Sequence, residues 1–439
     1  MDVKQINDLL LLGRLDAPGL FPHLEELAGA STVFKFDFGL EELPEAPGVL
    51  IVRGARQYGK STWLELELKK SITRFGPGSA FYLNGDDLAS PEALTEAVRA
   101  CLSLSPSRSP LRRIFIDEIT SVPDWQRAVK RLADSGELRN VLVITTGSKA
   151  SDLRRASERL PGRKGRLART EYLFTPVSYA EFARGGGKAA FGAQAPLAYA
   201  LSGGAPIACR ELIAGGRVPE FVIALVRDWI YGEFAASGRS RSDLLSVFTA
   251  LMRFGAAPCG QAKLARESGL ANNSVAQGYV ELLMDLMVTA SSFNWDASRN
   301  VRLPRKPCKY HFVNLLACLA WHPERIRTIA DLAAARETTR GQFAEWAVAQ
   351  EIWRRRAIRG DEMPEVMLHW LSKEHSVDFV LAPDEMVEVK WGEARPLEFA
   401  WFPKTFPRAT LTVVNANRFD AGRVKGITLE DFLTAGISS

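Results

Sequence analysis

Gly54-Ala55-Arg56-Gln57-Tyr58-Gly59-Lys60-Ser61-Thr62 satisfies G-x-x-x-x-G-K-[ST], a spacing suited to wrapping a phosphate chain. Successive backbone N–H groups of such a turn converge on an anion, and the helix that it opens adds partial positive charge. Lys60 is then the group that reaches the β- and γ-phosphates of ATP, and the Ser61 hydroxyl takes a place on Mg²⁺. A second chemical pair, Asp117-Glu118, ends the run Leu111-Arg112-Arg113-Ile114-Phe115-Ile116, about 57 residues beyond Lys60. Asp117 is placed to hold Mg²⁺, directly or through water, and Glu118 to act as general base toward the attacking water. Two surface acids at a strand end are the plain alternative; the preceding loop favours the chemical reading. A third set, Asp378, Glu388 and Lys390, offers two carboxylates beside one lysine, with Glu345 as a further carboxylate. Such a group can hold a divalent metal and orient a water against a phosphodiester. A salt bridge between Glu388 and Lys390 on an exposed strand face is the structural alternative.

The elements around the first two sets read as α/β. Val49–Val52 is an apolar, β-branched strand feeding the loop, and Thr62–Lys70 begins a helix. Ser79–Leu83 reads as a strand and Asn84–Asp87 as a turn. Pro91–Leu104 reads as a helix, with Ser90 as N-cap and Pro91 at the first helical position. Val141–Ser148 is a further buried-type strand ending in hydroxyls. Thr145, Thr146 and Ser148 are candidates to sense the γ-phosphate there, Thr146 first, against ordinary strand-end turn chemistry. Ser178 through Glu181 fits a capping box.

Composition narrows the class. At 439 residues, the chain has room for about three domains at ~150 residues each. The net charge of +5 is too small to argue for nucleic acid by itself, so the local distribution of charge matters more. Cys101, Cys209, Cys259, Cys308 and Cys318 lack metal-site spacing and read as reduced, buried thiols in a cytoplasmic protein. No signal-peptide pattern and no bilayer-length apolar run is evident, so no membrane partner is expected.

Further along, Arg154, Arg155, Arg159, Arg163, Lys164, Arg166 and Arg169 form a basic stretch. One of them would serve as an arginine finger on a neighbouring subunit's ATP; a solvated loop is the alternative. Residues 189–240 read as helical, with core aromatics Trp229, Tyr231 and Phe234. Helices over 244–254, 262–268 and 274–287, then a hairpin near Asn294-Trp295-Asp296, give a winged-helix order. Arg299, Arg302, Arg305, Lys306 and Lys309 follow that turn. The third helix is poor in base-reading groups, Gln277 and Tyr279 being its best, so non-specific DNA contact and pure packing stand side by side. Gly341–Arg356 reads as a long helix, whose Arg354-Arg355-Arg356 tail tracks phosphates or caps the helix dipole. Strands at Met367–Trp370, Val377–Leu381, Met386–Trp391 and Leu411–Val414 complete a restriction-endonuclease-like order.

These motifs together resemble the bacterial and archaeal AAA+-type P-loop ATPases that carry a C-terminal PD-(D/E)XK nuclease-like domain. The resemblance rests on the Gly54–Ser61 loop, Ile116–Ile119, Thr146–Ser148, Gly162-Arg163 and Pro176–Phe182. It continues through Gly203–Pro206, Gly341–Glu345, Val377–Phe379 and Val387–Lys390. Tyr58 stands where a small apolar residue is usual, and Ser376 where an acid usually precedes V-D-F. The resemblance implies ATP hydrolysis with Mg²⁺, a winged-helix module, a nuclease-like end and an Arg163 near nucleotide or a subunit interface. The expected layout is a P-loop ATPase domain over 1–188, a helical lid over 189–240, a winged helix over 241–330 and a nuclease-like domain over 331–439. Expected partners are ATP, DNA held without sequence preference and further copies of the chain, with a second divalent metal in the C-terminal domain. The other functional class is an ATP-driven switch or scaffold whose C-terminal fold is catalytically silent.

Overall fold

A computed structural model describes residues 1–104, 111–147 and 165–435. The chain divides into two compact units, residues 1–175 with 357–360, and residues 176–356 with Asp361 onward. Among the described residues, no helix is long and apolar enough to cross a membrane.

In the first unit, α1 (Val3–Leu11) and α2 (Pro22–Ala28) precede β1 (Gly48–Arg53), α3 (Lys60–Phe75) and β2 (Ala80–Asn84). Then come α4 (Pro91–Leu104), β3 (Arg112–Asp117), α5 (Trp125–Asp134), β4 (Val141–Gly147) and β5 (Glu171–Leu173). All five strands run parallel in the order β2-β3-β4-β1-β5. Val49, Ile51, Ile114, Ile116, Val141 and Val143 are buried among the side chains of α4 and α5, including Leu94, Val98, Trp125 and Val129. Continuous apolar strands of this kind are what a sheet covered on both faces requires. The order brings the C-terminal ends of β1, β3 and β4 side by side.

The outer edge of β2 is closed by one side chain. Buried Asn7, on α1, donates from Nδ2 to the Tyr82 carbonyl oxygen at 2.8 Å and accepts from the Tyr82 N–H at 2.8 Å. The outward-facing N–H and C=O of Tyr82 on this edge strand are thereby satisfied.

In the second unit, helices Glu220–Ala236, Arg241–Phe254, Gln261–Glu267 and Asn273–Asp285 precede β6 (Thr289–Asp296), β7 (Val301–Leu303) and β8 (Lys309–Phe312). Asn272 caps the Asn273–Asp285 helix by accepting from the Val275 N–H. Helix Glu337–Arg359 leads to β9 (Val366–Leu371), β10 (Ser376–Val377), β11 (Phe379–Ala382) and β12 (Glu385–Val389). Last come β13 (Thr410–Val414), β14 (Phe419–Ala421) and β15 (Val424–Ile427). One sheet runs β10-β9-β6-β7 with β8 also on β6; the other runs β11-β12-β13-β15-β14. β6 pairs in parallel with β9, Ser291 against Val366 through Asn294 against His369. The hairpin strands and the strand following the long helix therefore share one sheet across the expected 330/331 boundary. The single strand expected over Val377–Leu381 is split in two at Asp378.

Replacing Asn7 with Ala strands two backbone groups of β2. A cost of about 1–3 kcal/mol is expected, read as a lower urea midpoint with unchanged slope; an unshifted midpoint would show that α1 does not hold this edge.

Candidate functional site

The loop between β1 and α3 is shaped by two glycines whose side-chain space is already filled. A Cβ on Gly54 would meet the Phe174 Cβ at 2.7 Å, and one on Gly59 would meet the Phe36 ring at 2.7 Å. Gly59 also takes φ +98° as N-cap of α3, a left-handed conformation that side chains resist. The helix thus starts at Lys60 with its first N–H groups facing the loop. The buried Lys60 Nζ donates to the Gly54 and Ala55 carbonyl oxygens, each at 2.9 Å. Arg56 and Gln57 are exposed, Ser61 and Thr62 half-buried. Tyr58 is buried: its ring is part of the core here, which accounts for an aromatic at that loop position.

The two acids stand at the end of β3. Asp117 Oδ1 accepts from the Thr146 hydroxyl at the end of β4 and from the Glu118 N–H at 3.1 Å. That N–H also lies 3.3 Å from the Thr146 Oγ1. Glu118 has φ +46°, ψ +43°, an uncommon conformation for a non-glycine residue. Its carbonyl accepts from Ser121 at 2.9 Å, and a Cβ on Gly85 would come within 2.2 Å of the same oxygen. Surrounding contacts hold the strained backbone in place, an arrangement common at functional sites. Thr146 has no exposed surface and its hydroxyl bonds to Asp117, so in this structure it orients the acids. Thr145 instead donates to the Leu50 carbonyl oxygen at 3.2 Å.

Sequence reasoning missed His23 beside this end of the sheet. Its Nδ1 lies 2.6 Å from Glu65 Oε1 on α3. The hydrogen bond to Glu65 raises the imidazole's pKa against the opposing effect of burial, with Asp117 adding to the rise. No local pattern joins two residues 42 positions apart.

The second set gathers in the second unit, with an unexpected member. Lys309 on β8 is buried, its Nζ 2.7 Å from Asp378 Oδ1 and 3.2 Å from Glu345 Oε1. Asp378 Oδ2 accepts from the Val389 N–H at 3.0 Å. Glu388 Oε2 accepts from the Asp378 N–H at 3.2 Å, and Lys390 Nζ donates to Glu388 Oε1 at 2.7 Å. Lys309 was expected among the hairpin's phosphate contacts; it is instead enclosed by carboxylates. His311, two residues along the same strand face, is fully buried and was also missed. Its Nδ1 lies 3.8 Å from Glu345 Oε1, and neither ring nitrogen has a hydrogen-bond partner. Lys390 borders a cavity of about 780 Å³ lined by Trp391, Asn415, Arg418 and Leu429.

Burial, then the Asp378 charge, pushes the Glu345 carboxyl up to about 8 and Glu388 up to about 7. Burial is the largest influence on the Asp378 carboxyl and raises it, but Lys309, the Val389 N–H and Lys390 together bring the net direction down. Burial, then Lys309, holds His311 far below its ordinary value and therefore neutral. Among the described residues, no group of three or more His, Cys, Asp or Glu side chains is arranged to hold a metal ion. The carboxylates expected to bind a second metal are already engaged by ammonium groups and backbone N–H groups, so that metal does not fit this arrangement.

Other expectations also meet corrections. Tyr279 is buried in the helical core and bonded to Ser240, so it is not a base-reading group. Arg354 and Arg355 both bind Glu351, at 2.9 and 2.8 Å, and Arg356 binds Asp361 at 2.7 Å, so the triplet neither tracks phosphates nor serves only the helix dipole. Arg169 donates to the Ala357 and Ile358 carbonyl oxygens, each at 2.7 Å, which engages it within its own unit. Arg163, with Arg154, Arg155, Arg159, Lys164 and Ser148, lies outside the described residues.

A parallel sheet with a G-x-x-x-x-G-K-[ST] loop after β1 and an acid pair at the end of β3, one strand away across β4, has the layout of a P-loop core. Residues 46–183 match the family model described as an AAA domain. The protein MJ1544 of Methanocaldococcus jannaschii is 27% identical over 157 residues, 36% of this chain. The chain spans about a third of that relative's length, 32%. Among solved structures, the Walker-type ATPase PABY2304 of Pyrococcus abyssi is 14% identical, with 69% of this chain and 94% of that one covered and a TM-score of 0.42. The Aeropyrum pernix ORC1 protein, solved in complex with DNA, is 15% identical, with 71% and 95% covered and a TM-score of 0.30.

Because folding raises the Glu345 pKa from 4.5 to about 8, its contribution to stability is present below pH 4.5 and lost as pH rises through 8. Glu345→Gln should melt close to the parent at pH values near 4.5 and above it beyond pH 8. A difference that does not change with pH would show that Glu345 is not buried against Asp378 in solution.

Proposed function

We propose that the chain is a Mg²⁺-dependent ATPase whose nucleotide state governs how its second unit holds DNA. The observation that carries the ATPase reading is the meeting of Asp117, Glu118 and Thr146 at the strand ends beside the Lys60 loop. Gly54 through Thr62 would cradle the phosphates of ATP, with Lys60 moving its ammonium from loop carbonyls to phosphate oxygens. Ser61 and Asp117 would hold Mg²⁺, which when bound neutralises charge on those oxygens. Glu118 takes a proton from the attacking water, and Thr146 keeps it and Asp117 aligned. Arg163 is assigned as the finger that a neighbouring copy contributes, which makes the working form a homo-oligomer. The five cysteines, all reduced and buried, suit a cytoplasmic setting.

Three helices followed by the β6–β7 hairpin support a winged-helix reading of 241–330. Arg299, Arg302, Arg305 and Lys306 are exposed on that hairpin and just beyond it, a basic run suited to phosphates of any sequence. The β11-to-β15 sheet with the Asp378, Glu388 and Lys390 set supports the restriction-endonuclease-like reading of 331–439. Lys309 between Asp378 and Glu345 favours a domain that holds DNA without cutting it over one that cleaves. Plasmid nicking that is lost in Lys390→Ala would reverse that preference.

Lys60→Ala should lose nucleotide binding or turnover. Glu118→Gln should keep ATP binding and slow hydrolysis by ~10²–10⁴, measured as phosphate release under single-turnover conditions; turnover at the parent rate would remove Glu118 as the base. Replacing Arg302 or Arg305 with Ser should flatten the log affinity against log salt slope for duplex DNA by about 1 each. An unchanged slope would remove the hairpin from the interface.

A further inference from the structure

The acidic cluster of the second unit has a built-in cation. Lys309 reaches it from β8, which lies far from Asp378 and Glu388 in the chain, and its ammonium contacts carboxylates from two other elements. The remaining oxygens of Asp378 and Glu388 take backbone N–H groups or Lys390. A buried lysine in such a setting cannot be displaced cheaply. A divalent ion entering between Asp378 and Glu345 would leave the ammonium buried without a counter-charge, a strongly destabilising outcome.

His311 supplies the independent observation. It is fully buried, neutral and unbonded at both nitrogens, with Nδ1 3.8 Å from the carboxylate that Lys309 holds. Buried polar nitrogens without partners are uncommon and costly. A neutral imidazole beside the Glu345 carboxylate is also the donor type that a first-row divalent ion takes. Donor types are present but are not arranged around an ion, and a tethered ammonium stands between Asp378 and Glu345.

We propose that Lys309 is a resident counter-cation that excludes divalent metal from the Glu345, Asp378 and Glu388 cluster. Removal of its charge turns the cluster into a metal site completed by His311. Lys309 therefore separates a nuclease-like architecture from metal-dependent cleavage, which deepens the non-cutting reading given above.

The test is a Mn²⁺ titration of the full chain without nucleotide, read by the electron paramagnetic resonance signal of free Mn²⁺. The parent should take up no ion that depends on Asp378 up to on the order of 1 mM, the weak end of protein sites for divalent cations. Lys309→Met should bind one Mn²⁺ at least roughly tenfold more tightly than that limit, and Asp378→Asn in the same chain should abolish the gain. Should Lys309→Met fail to fold by circular dichroism, Lys309→Met with Glu345→Gln removes the ammonium together with its Glu345 partner and keeps Asp378, Glu388 and His311; Asp378-dependent uptake is again expected. Asp378-dependent Mn²⁺ binding by the parent overturns the proposal, as does a folded variant that takes up none. Loss of DNA binding alone would strike the functional reading and leave this one standing.

Discussion

The shared hydrogen bonding of Asp117 is the constraint on which the first unit depends. One carboxylate oxygen serves both the Thr146 hydroxyl from β4 and the N–H of the residue that follows it. That sharing requires β3 and β4 to end level, which their parallel register supplies by setting Ile116 against Thr145. It also requires Glu118 to turn sharply into a left-handed backbone, which leaves room only for Gly85 on the neighbouring turn. β1 lies on the other side of β4 with Val52 against Thr146, so the loop that begins at Gly54 emerges two residues from this network. The acid pair and the phosphate cradle are thus two ends of one pairing scheme.

The second unit uses charge differently. Its carboxylates are buried, and burial alone would neutralise them by protonation. Lys309 keeps Asp378 ionised, while Glu345 and Glu388, less well compensated, are pushed toward their neutral forms. The result is a set of acids balanced by the protein's own ammonium groups.

Local chemistry was legible in the sequence wherever it was written in consecutive residues. The glycine loop, the Asp117-Glu118 strand end, the Ser90 cap and the alternation that puts Glu388 beside Lys390 all follow from spacing alone. Long-range pairing was not legible. Nothing in Lys309-Tyr310-His311-Phe312 shows that both faces of that strand are buried; its alternation reads as one polar and one apolar face. The break at Asp378 falls where the chain passes from pairing with β9 to pairing with β12, a change of partner that a run of apolar residues conceals. Tyr279 and the Arg354–Arg356 triplet were read by residue type, whereas their partners Ser240, Glu351 and Asp361 decide what they do.

The parallel pairing of β6 with β9 has a consequence for how such a chain can be assembled or taken apart. The hairpin segment and the carboxylate-bearing segment each supply half of a common ladder, Ser291–Asn294 against Val366–His369. Neither is a cassette. Recombination that exchanged one without the other would leave an open ladder edge ready to join a foreign chain. The hairpin segment, with Lys309 on β8 beside it, must therefore be inherited together with the acids that Lys309 contacts.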